Sequence, residues 1–109
     1  MSETKLLSLL GMCRRAGKLC CGHDSAVGAV REKQAALCLL SSDSSERLRK
    51  EFERECSFGG RDIPVKVISS GMEEIGRATG LKSAVLAVRD PGFAGAIVKL
   101  LEDTGEVSQ

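Results

Sequence analysis

Four side chains near the N-terminus, Cys13, Cys20, Cys21 and His23, are of types that bind metals or act as nucleophiles. Structural zinc uses paired ligands about two to four residues apart. Cys20 and Cys21 are adjacent, so on an extended backbone they leave opposite faces. That spacing argues against a metal site. A Cys–His nucleophile would have to use His23, the single histidine of the chain, and spacing specifies no third group to orient it. The cysteines number five, an odd count. The apolar stretch Leu6–Gly11 is too short for a secretory leader and lacks a cleavage signal, so none is expected. Reduced thiols in the cytoplasm follow. Cys13, Cys38 and Cys56 are expected to fill the core, with Cys20 or Cys21 partly exposed. No catalytic residue, metal or cofactor is expected.

Phosphate binding is the remaining chemistry. No Walker or dinucleotide glycine pattern opens a helix. Gly22 nevertheless precedes a helical segment, and a helix N-terminus offers unpaired N–H groups and a partial positive charge. Arg15 and Lys18 lie just upstream. The net charge is +1, so the chain as a whole does not attract polyanions. Residues 1–34, however, hold six basic against three acidic side chains, a local excess that suits phosphate contacts. Aromatic residues are three phenylalanines. Phe52 and Phe93 sit at helix-core spacing and Phe58 in a turn, which argues against base stacking on an open sheet face.

The elements that would position these groups alternate. Leu6, Leu9, Leu10 and Cys13 predict an amphipathic helix over 3–15. A short strand follows at Lys18–Cys21. His23, Asp24 and Ser25 offer N-caps for a second helix ending near Lys33. The apolar run Ala35–Leu40 predicts a strand buried on both faces. Asp43 with Glu46 resembles a capping box before a third helix carrying Leu48, Phe52 and Cys56 and closed by Gly59-Gly60. Ile63–Ser69 is rich in β-branched residues and predicts a strand. Ser70 with Glu73 marks the next helix start, with Met72, Ile75 and Ala78 inward and Gly80 beyond its end. Ala84–Val88 predicts the last strand. Asp90-Pro91 caps a final helix bearing Phe93, Ile97, Leu100 and Leu101. Residues 104–109 read as a frayed tail. The chain has 109 residues, the size of one domain, and alternation of this kind implies a sheet covered by helices on both faces. No run reaches the roughly 20 apolar residues of a membrane span.

The segment LLGMCRRAGKLCCGHDSAVGAVREKQAALCLLSSDSS, the helix MEEIGRATG and the junction AVLAVRDPGFA together resemble the kink-turn RNA-binding ribosomal protein family. This is the eukaryotic and archaeal large-subunit seven-Ae and thirty-e type, with a small stand-alone bacterial branch. The resemblance runs from Lys5 to Leu101, and RAGK at Arg15–Lys18, Gly22 and RDPGFA at Arg89–Ala94 make it specific. It implies a three-layer α/β/α sandwich with a mixed four-stranded sheet. It also implies a grip on bent RNA through Gly22–Gly28 and Gly80–Ser83. Members carry Asn, Glu and Lys at the positions of Asp24, Ser25 and Gly28.

The expected function is therefore non-catalytic recognition of structured RNA, ribosomal or other non-coding, by a cytoplasmic monomer, in association with the ribosome. The expected interface is Arg15, Lys18, Gly22, His23, Asp24, Ser25, Gly28, Arg31, Leu81, Lys82 and Ser83, with Lys18, Arg31 and Lys82 on phosphates. A protein-interaction module on the same fold, and a thiol-based redox or metal-binding protein, are the competing readings.

Overall fold

The computed structural model describes residues 2–104. Five helices and four strands alternate: α1 (Ser2–Arg15), β1 (Leu19–Cys21), α2 (His23–Arg31), β2 (Leu37–Leu40), α3 (Glu46–Ser57), β3 (Val65–Val67), α4 (Met72–Thr79), β4 (Val85–Val88) and α5 (Pro91–Thr104), with a short 3-10 turn at Phe58–Gly60. The strands are shorter than the apolar runs that predict them, because the ends of each run turn into loops. Of the predicted tail, Thr104 closes α5 and the remainder lies outside the described residues.

The sheet order is β1-β4-β2-β3. β4 is central and antiparallel to both β1 and β2, and β3 pairs parallel to β2. This is the mixed four-stranded sheet of an α/β/α sandwich. Period-two alternation divides the core. Leu37 and Leu39 of β2, with Leu86 and Val88 of β4, face α1, α4 and α5. Cys38, Leu40, Val85 and Ala87 face α2 and α3, whose Ala26, Val30, Phe52 and Cys56 close that layer. Cys13, Cys38 and Cys56 are buried as expected, and Cys20 and Cys21 are half-buried.

Two helix starts differ from expectation. Ser45 caps α3 by accepting from the Leu48 N–H at 3.1 Å. Asp43 instead reaches across to α4 and accepts from the Met72 N–H at 3.2 Å. The N-cap of α4 is Gly71, not Ser70, and Glu74 rather than Glu73 accepts from the Gly71 N–H at 2.6 Å. Gly71 has no side chain, so the carboxylate of Asp43 serves the helix end in its place. On α4 the buried side chains are Ile75 and Thr79, while Met72 and Ala78 are half-buried. Asp90 caps α5 as expected, accepting from the Phe93 N–H at 2.9 Å, with Pro91 first in the helix.

The crossing of α1 on α4 depends on Gly11. A Cβ there would stand 2.9 Å from the Ala78 carbonyl oxygen. Gly11→Ala is therefore expected to lower stability by about 1–2 kcal/mol, overpacking outweighing the gain in helix propensity. Gly95→Ala, with nothing within 4 Å of the added carbon, is expected to gain up to about 1 kcal/mol. Urea midpoints of the two variants check the opposite signs.

Candidate nucleic-acid interface

The backbone at Gly22 joins β1 to α2. Its N–H donates to the Val85 carbonyl at 3.0 Å, and its own carbonyl accepts from the Ala26 N–H. Its φ of 97° with ψ of 165° is a conformation that only glycine adopts without strain. Gly22 is itself the N-cap, so His23 opens the helix and none of His23, Asp24 and Ser25 caps it. The first turn of α2 presents its N–H groups with no side chain over them, as an anion-binding helix end requires.

The segment before β4 reaches the same end of the sheet. Thr79 Oγ1 donates to the Ile75 carbonyl at 2.8 Å and accepts from the Leu81 N–H at 3.3 Å. Ser83 Oγ donates to the Leu81 carbonyl at 3.1 Å. These hydroxyls fix the backbone around Leu81, whose side chain is exposed. Gly80, at φ 87°, supplies the left-handed turn out of α4. Gly22–Gly28 and Gly80–Ser83 thus flank the start of β4, the paired arrangement the resemblance implies.

The cations are distributed differently from the sequence-based expectation. β1 runs away from Lys18, whose carbonyl accepts from the Arg89 N–H at 2.8 Å at the far end of the sheet. Four residues of extended chain separate Lys18 from Gly22, roughly 13 Å, so Lys18 is not part of the Gly22 corner. Arg31 is held by Glu55 through two hydrogen bonds of 3.2 and 2.7 Å. Lys82 is paired with Glu73 at 2.8 Å. Gly28 adds no charge and is half-buried on α2. The residue missed by sequence reasoning is Arg14, whose guanidinium donates to Cys21 Sγ at 3.3 Å, beside Gly22. Arg15 folds back toward Gly11 at the α1–α4 crossing. The helical period was the available signal, since residues four apart share a face of α1.

His23 does not meet a cysteine. Its Nδ1 lies 3.0 Å from Asp24 and its Nε2 2.6 Å from Glu51. Its ring stands edge-on to Phe52, with centroids 5.9 Å apart. Hydrogen bonds from the imidazole to Asp24 first and Glu51 second favour the imidazolium form and raise its pKa. Two carboxylates therefore border the helix end, and a protonated His23 offsets one of them. Three of the thiols, Cys13, Cys20 and Cys38, have raised pKa values, whereas the Cys38 contact lowers that of Cys56. Burial, aided by Asp90, pushes Cys13 up to about 11. Burial also raises Cys20, and the Cys56 contact at 3.6 Å together with burial raises Cys38. A thiol is nucleophilic only as its thiolate, so these three are protonated at neutral pH. Among the described residues no three His, Cys, Asp or Glu side chains converge on a metal position. No helix among them is long and apolar enough to cross a membrane.

Comparison with known proteins identifies the family and the fold. Residues 4–98 match the model of the Ribosomal protein L7Ae/L30e/S12e/Gadd45 family. A protein named RNA-binding protein YlxQ from Bacillus subtilis is 33% identical over 103 residues, covering 94% of this chain and all of that protein. Its namesake from Enterococcus faecium is 29% identical over 101 residues, covering 93% and 95%. A solved structure of a protein of unknown function from Bacillus halodurans superposes with a TM-score of 0.81 at 37% identity, covering 90% of this chain and 97% of that one. The Giardia lamblia 15.5kD RNA binding protein shares the fold, with a TM-score of 0.72 at 16% identity over 95% and 88% of the two chains.

The raised pKa of His23 fixes a sign. A group whose folded pKa is raised stabilises fully below its unfolded value, here 6.5, and loses that contribution as pH climbs through the folded value. Wild-type urea midpoints are expected to fall over the window just above 6.5. The His23→Gln variant is expected to stay level there. Parallel curves for the two proteins would assign the slope to another group.

Proposed function

The chain belongs to the Ribosomal protein L7Ae/L30e/S12e/Gadd45 family, and from that premise we propose that it binds structured RNA with a sharp, kink-turn-like bend and catalyses nothing. The uncapped glycine-opened end of α2, beside the hydroxyl-fixed loop before β4, carries the reading. The names of two full-length relatives support the ligand class. The RNA is ribosomal or another non-coding species, and the protein acts on it as a cytoplasmic monomer, in association with the ribosome, with the whole chain as one functional unit.

In this reading the N–H groups of His23, Asp24 and Ser25 dock against phosphate or base acceptors, and Gly22 lets the RNA backbone approach closely. Arg14 and Arg15 neutralise phosphates nearest the corner. Leu81 packs against a base or ribose at the bend, with Ser83 and Gly80 holding its loop. Lys82 reaches the RNA by exchanging Glu73 for a phosphate, and Arg31, about 13 Å along α2 from Gly22, exchanges Glu55 for a phosphate farther along the RNA. Such exchange is inexpensive, because exposed ion pairs contribute about 0–1 kcal/mol. The imidazolium form of His23 offsets one of the two carboxylates, Asp24 and Glu51, that border the helix end.

The test is anisotropy with a bent RNA duplex and a straight duplex of the same composition, across salt. Preference for the bent RNA, weakening with salt as counterions are released, is the expected result. Gly28→Lys adds a cation on the exposed side of α2, where a new Cβ meets nothing within 4 Å. It is expected to strengthen bent-RNA binding about tenfold, a hydrogen bond to a charged group contributing about 1.5–3 kcal/mol. The salt slope should steepen by about 0.9. Equal, weak binding to both duplexes overturns the proposal in favour of a protein partner.

A further inference from the structure

Three cations that form no ion pair among the described residues, Lys18, Lys33 and Arg89, line the end of the sheet away from Gly22. The starts of β1, β2 and β3 and the end of β4 meet there, as the Arg89 N–H to Lys18 carbonyl bond and the 2.7 Å Ala36 N–H to Val88 carbonyl bond record. Two open clefts of about 430 and 250 Å³ adjoin, sharing Lys33 and Ala35. Their linings contain four cations, Lys18, Lys33, Arg89 and Arg61, and no carboxylate. Glu32 and Asp62, the acids adjacent in sequence, are exposed and line neither cleft. Asp90 is occupied by the Phe93 N–H. Among the described residues Lys18, Lys33 and Arg89 form no ion pair, in contrast to Arg31 and Lys82.

Beside the second cleft stands Phe58, 68% exposed in a chain with only three aromatic residues. The Arg61 guanidinium lies 5.8 Å from its ring centroid. Arg61 is itself fixed, donating to the Glu55 carbonyl at 2.9 Å. Gly59 and Gly60, at φ 66° and 84°, place no side chain between the ring and the cleft.

We propose that this end of the sheet is a second nucleic-acid surface that takes an unpaired RNA strand, with phosphates on Lys18, Lys33 and Arg89 and a base on Phe58. The inference rests on the RNA reading above for its ligand class. Cations alone would fit any polyanion, and the exposed ring beside them selects a strand with free bases. A duplex is a poor fit, since its bases are stacked inside and unavailable to an aromatic side chain. A strand leaving a bent RNA at the Gly22 corner reaches this surface by running the length of β1.

Anisotropy with a labelled single-stranded RNA of about twelve nucleotides tests it, apart from any bent duplex. Wild type is expected to bind the strand with affinity that falls with salt. The triple variant Lys18→Gln, Lys33→Gln, Arg89→Gln is expected to bind at least about tenfold more weakly, with a salt slope shallower by about 2, three phosphate contacts at about 0.7 each. Phe58→Ala is expected to weaken binding at least about fivefold with the slope unchanged. The charge-preserving variant Lys18→Arg, Lys33→Arg, Arg89→Lys should bind like wild type. No binding of the strand by wild type overturns the proposal. So does full retention by the triple variant, or equal displacement of the strand by polyglutamate. The bent duplex binds at the other end, so its binding by the triple variant judges the first reading independently.

Discussion

β4 is hydrogen-bonded on both sides, and its register decides what each end of the molecule can present. Pairing Leu19 with Val88 and Cys21 with Leu86 fixes β1 so that Gly22 emerges beside Val85. The same pairing carries Lys18 to Arg89, at the opposite end. A slip of one residue would also exchange the faces on which Leu86 and Ala87 are buried, exposing one core layer. The two core layers therefore lock the register, and the register separates the glycine-opened helix end from the lysine that precedes it in sequence. Roughly 13 Å of extended chain exceeds the Debye length of about 8 Å at physiological salt. Cations at one end consequently contribute little to anion binding at the other.

A protein with a net charge of +1 can still attract a polyanion if its charges are segregated. The ion pairs accomplish part of that. Glu55 is engaged by Arg31 and approached by Arg61, Glu73 by Lys82, and Glu51 by His23. The carboxylates of α3 and α4 are thereby partly neutralised. The pairs of Lys82 and His23 are exposed and individually weak, so their value lies less in stability than in the contrast they make with Lys18, Lys33 and Arg89, which form no ion pair among the described residues. Replacing Glu55 by a phosphate around Arg31 changes partner while keeping a bidentate geometry that suits either anion.

Much of the architecture was legible in the chain. The continuous apolar runs AALCLL and AVLAV specified strands buried on both faces, four-residue spacing at Phe52 and Cys56 specified a buried helix face, and Asp90-Pro91 specified a helix start. The caps were legible only where the capping residue is local. Asp43 pointed to α3 because Glu46 follows it by three residues, yet its carboxylate serves Met72, twenty-nine residues away. No local pattern encodes that contact, and Gly71, without a side chain, gives no sign that it needs one. The glycine-opened α2 and the loop at Gly80–Ser83 were legible as a pair through the family resemblance. The fate of the cations was not. Arg31 meets Glu55 twenty-four residues later, and Lys18 is moved away by strand register, which sequence proximity cannot convey. Arg14 was obscured because it sits beside Arg15, and only the helical period separates the directions of the two side chains.

The absence of a side-chain cap on α2 bears on what kind of recognition this end supports. A capping Ser, Asp or Asn at the position of Gly22 would accept one of the orphan N–H groups and compete with a ligand for it. Glycine leaves those donors available and is tolerated because neighbouring structure fixes its backbone: Gly22 is bonded to Val85 on one side and to Ala26 on the other. Backbone donors carry no base preference of their own. On the proposed reading, a helix end that relies on them, with Asp24 an acceptor where an amide would donate, would read the shape and phosphate spacing of an RNA more than its base edges. Discrimination must then come from geometry. On the proposed reading, the hydroxyl-fixed loop around Leu81 would supply it by offering a bent RNA a second surface beside the helix end.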